Sequence, residues 1–246
     1  MGGLGYSWYN GLHVYMTIGD LNRTWEGDNN ILFQQAGRLL LKNLSNLLTG
    51  QPLMPTCEFL SAEMPEPETF KGSIDNLNDL LDLITFKTES LIHEVGIRLQ
   101  MSQDKAAEWD KCLKHHIYPM VFSYFDRFCI KNYIDFLKNF DHDETTRLVF
   151  ERMAIIYAQD AIINDAEFYR DILSRDDIIE MKDNLMDQLK ELRVDIIPIT
   201  HTLYFRDKML GAMGASDMNL YQRFIKCVET SKDEFSRVEE WKYLYE

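Results

Sequence analysis

The chain has 246 residues, of which 46% are hydrophobic and 27% charged, and a formal net charge of −14. That length and apolar content support a sizeable core and lie outside the compositions of disordered proteins. So acidic a surface repels phosphate backbones and anionic membranes, which excludes nucleic-acid binding driven by counterion release.

Residues 1–30 read MGGLGYSWYNGLHVYMTIGDLNRTWEGDNN, rich in Gly, aromatics and short polar side chains. They carry neither the basic start nor the apolar run of a secretory signal. GGLGY lacks the G-x-G-x-x-G spacing and follows no strand pattern, so it does not indicate a dinucleotide fold. Asp28, Asn29 and Asn30 are all good N-caps for a helix beginning at Ile31. Glu26 therefore sits beside Gly27 on the approach to a helix N-terminus. By position alone it is an acidic residue favoured by the macrodipole, with a structural role.

From Ile31 onward the periodicity is helical. Leu32, Ala36, Leu40, Leu44, Leu47 and Leu48 recur at three- and four-residue steps, and Gly50 with Pro52 supplies a stop. Pro52, Pro55, Pro65 and Pro67 crowd the next stretch, which reads as a linker over 51–73. A second helix is expected from Ile74 to about Gln100, with Leu77, Leu80, Leu81, Ile84, Leu91 and Val95 facing inward. Further helices are expected around 103–138, 143–164, 177–192 and 217–230. DHDETTR at 141–147 reads as an ordinary helix start, SRDDIIEMKD as a capped, solvated helix, and the aromatics of 118–136 as bundle packing. The fold class is all-α, an antiparallel helical bundle in its C-terminal part. No stretch offers about 18 uninterrupted apolar residues, so no membrane span is expected.

Two other chemistries are disfavoured. His115 and His116 are adjacent and point to different parts of a helix surface, so no metal site is expected. Cys57, Cys112, Cys129 and Cys227 lie far apart with no C-x-x-C pair, which fits a reducing compartment.

The segments taken together are more specific than their parts. Gly2, Gly3, Gly5 and Tyr6 are followed by Trp25, Glu26, Gly27, Asp28 and Asn29, which open a helix containing Gln34, Gln35 and Arg38. This order resembles the C-terminal region of peroxisomal acyl-CoA oxidases, relatives of the acyl-CoA dehydrogenases. LVFERMAIIYAQDAI, DAEFYRDIL, LRVDIIPITHTLYFRD and ASDMNLYQRF resemble the helical domain that follows, so the likeness runs along nearly the whole chain. The implied organisation is the end of a dehydrogenase-like C-terminal helical domain over 1–50, the Pro-rich linker over 51–73, and the oxidase C-terminal helical bundle over 74–246.

The resemblance implies FAD-dependent α,β-dehydrogenation of a fatty acyl-CoA, with oxygen reduced to hydrogen peroxide. A carboxylate takes the α-proton while the β-hydrogen leaves as hydride to FAD, and Glu26 inherits the role of that base. Such a base needs close placement and a pKa near working pH. Its own N–H can polarise the thioester carbonyl as charge develops. Gly27 is expected to leave room for the substrate and Trp25 to wall the reacting carbons from water. Gly3, Asp28 and Asn30 correspond to FAD contacts, although an acid such as Asp28 repels a pyrophosphate and suits capping. Leu4 and Asn30 stand where the oxidases commonly carry His and Thr. The family also implies a homodimer and a peroxisomal location, although the chain ends KYLYE without an S-K-L type signal.

Family members are far longer, with an N-terminal helical domain and a β-domain that supply most of the FAD and CoA sites. The expectation is therefore a fragment or one portion of a split oxidase, inactive by itself because the hydride acceptor belongs to the cofactor. The rival expectation is a non-catalytic helical interaction or dimerisation module derived from such an enzyme.

Overall fold

The computed structural model describes residues 2–141, 143–212, 214–215, 217 and 219–230. In chain order its α-helices are α1 (Gly2–Tyr6), α2 (Leu12–Leu21), α3 (Asn29–Leu48), α4 (Leu77–Met101) and α5 (Lys105–Cys112). They continue as α6 (Tyr118–Lys138), α7 (Glu144–Asn164), α8 (Arg175–Leu192), α9 (Ile196–Thr202) and α10 (Leu220–Thr230). Among the described residues there is no strand, so the fold class is all-α as the periodicity required. No described helix is long and apolar enough to cross a membrane. The chain divides into two compact units, one of residues 29–197 and one joining 1–28 to the residues from Pro198 onward.

Within the unit 29–197, α4 is the central helix. Asn76 caps it by accepting from the N–H groups of Asn78 (2.9 Å) and Asp79 (3.2 Å). The seven consecutive residues Lys87–His93 are all buried, which requires partners on every side, and α3, α6 and α7 supply them. Buried polar groups must be paired or they cost desolvation energy. Lys87 pairs with Asp165, Thr88 shares a 2.8 Å hydrogen bond with Ser123, and the Glu89 carboxylate accepts from Ser61 N–H (2.7 Å). Two apolar clusters flank this polar belt. One joins Leu80, Leu83 and Ile84 to Ile134, Ile162 and Met181; the other joins Ile92 and Val95 to Leu40, Leu44, Ile117 and Met120.

Three local expectations change. First, the stripe on α3 is rotated: Leu32 (38%) and Leu48 (61%) are exposed, whereas Phe33 packs inward. The Phe33 ring lies 6.0, 4.9 and 6.4 Å from the rings of Tyr118, Phe122 and Phe125, and so large an aromatic contact sets the rotation of the helix. Second, 103–138 is not one continuous helix, because a π turn at Leu113–Ile117 separates α5 from α6. Tyr118 N–H reaches back to the Leu113 carbonyl, and Pro119 has no N–H to offer the carbonyl four residues before it. Third, the first thirty residues contain two helices joined by a 3₁₀ turn at Trp8–Asn10. The segment 51–73 lies as a tethered strap: Cys57 and Leu60 are buried, and Phe70 N–H donates to the Ile172 carbonyl (3.0 Å).

Candidate functional site

The segment carrying Glu26 is organised by its glycines and short polar side chains. Ser7 opens the 3₁₀ turn by accepting from Tyr9 N–H (3.4 Å). Asn10, 3% exposed, donates to the Gly5 carbonyl (2.8 Å) and accepts from Leu12 N–H (2.6 Å). Gly11 then turns the chain at φ 71°, a left-handed conformation that a side chain would disfavour. This elbow launches α2, none of whose residues is buried.

Beyond α2 the backbone winds down through a series of bonds. Asn22 N–H donates to Gly19 O (3.2 Å), Trp25 N–H to Leu21 O (3.1 Å) and Gly27 N–H to Thr24 O (3.2 Å). Glu26 thus projects from a turn whose flanking amides are both tied back to α2 and its exit. Gly27 sits at φ 120°, a backbone geometry that L side chains rarely adopt, so glycine is favoured there by conformation. Trp25, Glu26 and Asp28 are exposed, Trp25 at 71%.

This turn brings together Trp25, Glu26, Gly27 and Asp28. Gly3 lies on α1 of the same unit, and a Cβ built there meets nothing within 4 Å. Asn30 lies in the first turn of α3, in the other unit. Two cavities in the unit 29–197, of about 400 and 130 Å³, include no residue of the first thirty. The larger is shallow and acidic, between the strap at Phe70–Gly72 and the start of α4 at Asp79 and Asp82.

Gln34 and Arg38, singled out in the sequence, have a structural use. Trp109 on α5 donates its indole N–H to Gln34 Oε1 (3.2 Å), and the Arg38 guanidinium lies 5.1 Å above the same ring. Trp109 itself was not anticipated; its one signal is a large aromatic on the short helix that follows the Asp104 cap. His116 approaches Glu94 (Nε2–Oε1 3.4 Å), and no cluster of three metal-ligating side chains occurs among the described residues. Burial pushes the Cys57 and Cys112 thiols upward, opposite to what a nucleophilic thiolate needs. The chemistry available on the first segment is that of an exposed carboxylate beside a glycine.

Residues 76–246 match the family model described as acyl-CoA oxidase, and residues 1–41 match that of the acyl-CoA oxidase C-alpha1 domain. The peroxisomal acyl-coenzyme A oxidase 2 of Arabidopsis thaliana is 29% identical over 185 residues, 70% of this chain and 26% of that protein. The acyl-coenzyme A oxidase of Debaryomyces hansenii is 23% identical over 250 residues, 94% of this chain and 33% of that protein. Among solved structures, Arabidopsis thaliana acyl-CoA oxidase 1 superposes with a TM-score of 0.91 at 16% identity, covering 99% of this chain and 38% of that one. Caenorhabditis elegans acyl-CoA oxidase-2, bound with FAD, ascaroside-CoA and ATP, gives 0.87 at 17% identity, with 99% and 37% coverage. The chain spans about a third of the length of these relatives.

Proposed function

The chain belongs to the acyl-CoA oxidase family, and we propose that it carries the base-bearing helical part of an enzyme that converts a fatty acyl-CoA to its trans-2-enoyl-CoA. The observation that supports this most directly is the Trp25–Asp28 turn. It holds a carboxylate on a hydrogen-bonded backbone next to a glycine, inside the region matched by the C-alpha1 model. The domain reading follows the same lines: the end of a dehydrogenase-like helical domain over 1–50, a linker over 51–73, and the oxidase helical bundle from 74 to 246.

In this reading Glu26 takes the α-proton, and the electrons of that C–H bond form the Cα–Cβ double bond as hydride leaves Cβ. FAD, when bound, would supply the hydride acceptor and the redox chemistry by which oxygen is reduced to hydrogen peroxide. The thioester's α-proton is weakly acidic, so the developing negative charge on its carbonyl oxygen needs a donor. The turn itself uses the Trp25 and Gly27 amides, and we assign the Glu26 N–H to that oxygen. Gly27, without a Cβ, lets the thioester approach the backbone. Trp25, exposed here, would cover the reacting carbons.

Gly3 fits a cofactor lying against backbone, because the space where its Cβ would stand is open. Asp28 does not fit a pyrophosphate, since both are anionic. The greater part of the FAD and CoA contacts therefore falls to regions of the relatives that this sequence does not match. A fatty acyl-CoA substrate, a homodimeric assembly and a peroxisomal location complete the proposal.

The test is a chimera in which residues 1–246 replace the matching third of Arabidopsis thaliana acyl-CoA oxidase 1. Glu26→Gln should cut peroxide release by about 10²–10⁴-fold while flavin absorbance and KM stay close to those of the parent chimera. Turnover retained in that variant would remove the base assignment and favour a non-catalytic helical module. The 246-residue polypeptide alone is expected to release no peroxide from acyl-CoA.

A further inference from the structure

The segment that bears Glu26 has little core of its own. Asn10 is the sole buried residue among the described positions of 1–28, and α2 buries none. Within its own unit the segment is instead gripped from the far end of the chain. Ala212 N–H donates to the Tyr9 carbonyl (3.4 Å), the Tyr15 hydroxyl donates to the Met209 carbonyl, and the Tyr9 and Phe224 rings meet edge to face at 6.3 Å. The tightest approach is at Gly211. Its φ is +65°, and a Cβ there would lie 2.8 Å from the Asn10 carbonyl oxygen, 3.1 Å from its carbon and 3.4 Å from the Tyr9 oxygen. All three are backbone atoms of the elbow that launches α2, so no side-chain rotation can make room.

We propose that the turn Asp207–Ala212 is a clasp that positions the Glu26-bearing segment, with Gly211 the residue that sets the fit. The physical path is continuous. Gly211 seats the Asn10–Gly11 elbow, Tyr15 ties the first turns of α2 to Met209, and the bonds from Gly19, Leu21 and Thr24 carry that attitude to Glu26. A base shifted by about 1 Å loses roughly a hundredfold in rate, so the clasp acts on proton abstraction without touching the substrate. Gly211 and Tyr15 are positioning residues in this scheme. The proposal rests on the reading of Glu26 as the base.

Two measurements test it. In the 246-residue chain, Gly211→Ala should speed amide exchange over residues 9–27 by about tenfold while leaving α4 and α7 unchanged. Gly50→Ala is the control: it takes the same positive φ (69°), but a Cβ there meets nothing within 4 Å. In the chimera, Gly211→Ala should lower kcat by about tenfold to a hundredfold, hold KM within about twofold, and raise the isotope effect of α-deuterated acyl-CoA. Tyr15→Phe, which removes one hydroxyl and no packing, should do the same more mildly, and Gly50→Ala should do neither. Parental kcat and isotope effect in both Gly211→Ala and Tyr15→Phe, with Glu26→Gln inactive, would overturn the clasp and leave the base assignment standing. So would an equal loss in Gly50→Ala. An active Glu26→Gln would instead remove the base assignment, and the clasp with it.

Discussion

Gly37 and Gly96 occupy similar places, each inside a long helix, yet their surroundings assign them opposite roles. A Cβ on Gly37 would lie 2.9 Å from Ile117 Cγ2 and 3.4 Å from Met120 Cε, and both of those side chains are fully buried. A Cβ on Gly96 meets only the far ends of two leucine side chains, Leu44 Cδ2 at 3.0 Å and Leu41 Cδ2 at 3.9 Å. Alanine gains about 1 kcal/mol of helix propensity at either site, whereas overpacking a filled core costs roughly 1–3 kcal/mol. Gly37→Ala should therefore lower the urea midpoint, and Gly96→Ala should leave it unchanged or raise it. Asp126 is a second instance of surroundings deciding the sign. Burial raises its carboxyl, and the Tyr157 hydroxyl, donating at 2.6 Å, works against that rise. A carboxyl raised in the fold loses stability as pH climbs from its unfolded value through its folded one. Removing the donor with Tyr157→Phe raises the folded value further, so the deficit against the parent is small in acid and grows with pH. It should reach about 1 kcal/mol near neutrality, less than for a fully buried charged pair because Tyr157 is half exposed. Denaturant titrations of the two proteins at several pH values measure that difference, and a difference independent of pH would contradict it.

The π turn poses a question of cause at the level of the element. Pro119 removes one donor, but the residues on either side hold the register independently. Cys112 and Ile117 are buried, and Trp109 is held between Gln34 and Arg38. Relaxing the turn to an α-helix would rotate α5 by about 100° relative to α6. That would unseat all three to recover one hydrogen bond, whose net worth is about 1 kcal/mol. Pro119→Ala should therefore keep the π turn, with the Trp109–Gln34 bond intact by amide and indole NMR and the stability changed by less than about 1 kcal/mol. What was legible in the sequence follows the same division. Caps announce themselves locally, so Ser174, whose side chain accepts from Asp177 N–H (3.1 Å) while Asp177 accepts in return, marked the start of α8. A π turn adds one residue to a pattern that stays apolar on both sides and leaves no mark. Nor did α2 show, because a helix that buries no residue needs no apolar stripe. The Trp25–Asp28 motif could be read as a string, whereas the clasp on it could not. Gly211 and Tyr15 lie nearly two hundred positions apart, and only the fold brings them near the same elbow.

At the scale of the whole molecule the two units differ in what holds them. Residues 29–197 contain both apolar clusters and the buried polar belt of α4. In the other unit, Asn10, Ala212 and Ala215 are the buried residues among those described, while Trp8 (77%), Met16 (73%), Tyr204 (89%) and Tyr221 (68%) stand exposed. Stability is distributed accordingly, since local opening costs least where few apolar contacts must break. Segments that carry chemistry are often of this low-stability kind, fixed by a few specific contacts and completed by what covers them. Brief chymotrypsin treatment should therefore cut first within 1–28 and 198–230, at Tyr6, Trp8, Tyr204 or Tyr221, while α4 and α7 stay intact. The core product should keep the helical circular dichroism and urea midpoint of the major transition, because the interactions that set that transition lie inside 29–197. Cleavage appearing first in α4 or α7, or a midpoint that falls when 1–28 is trimmed, would show that residues 1–28 contribute to the main cooperative transition.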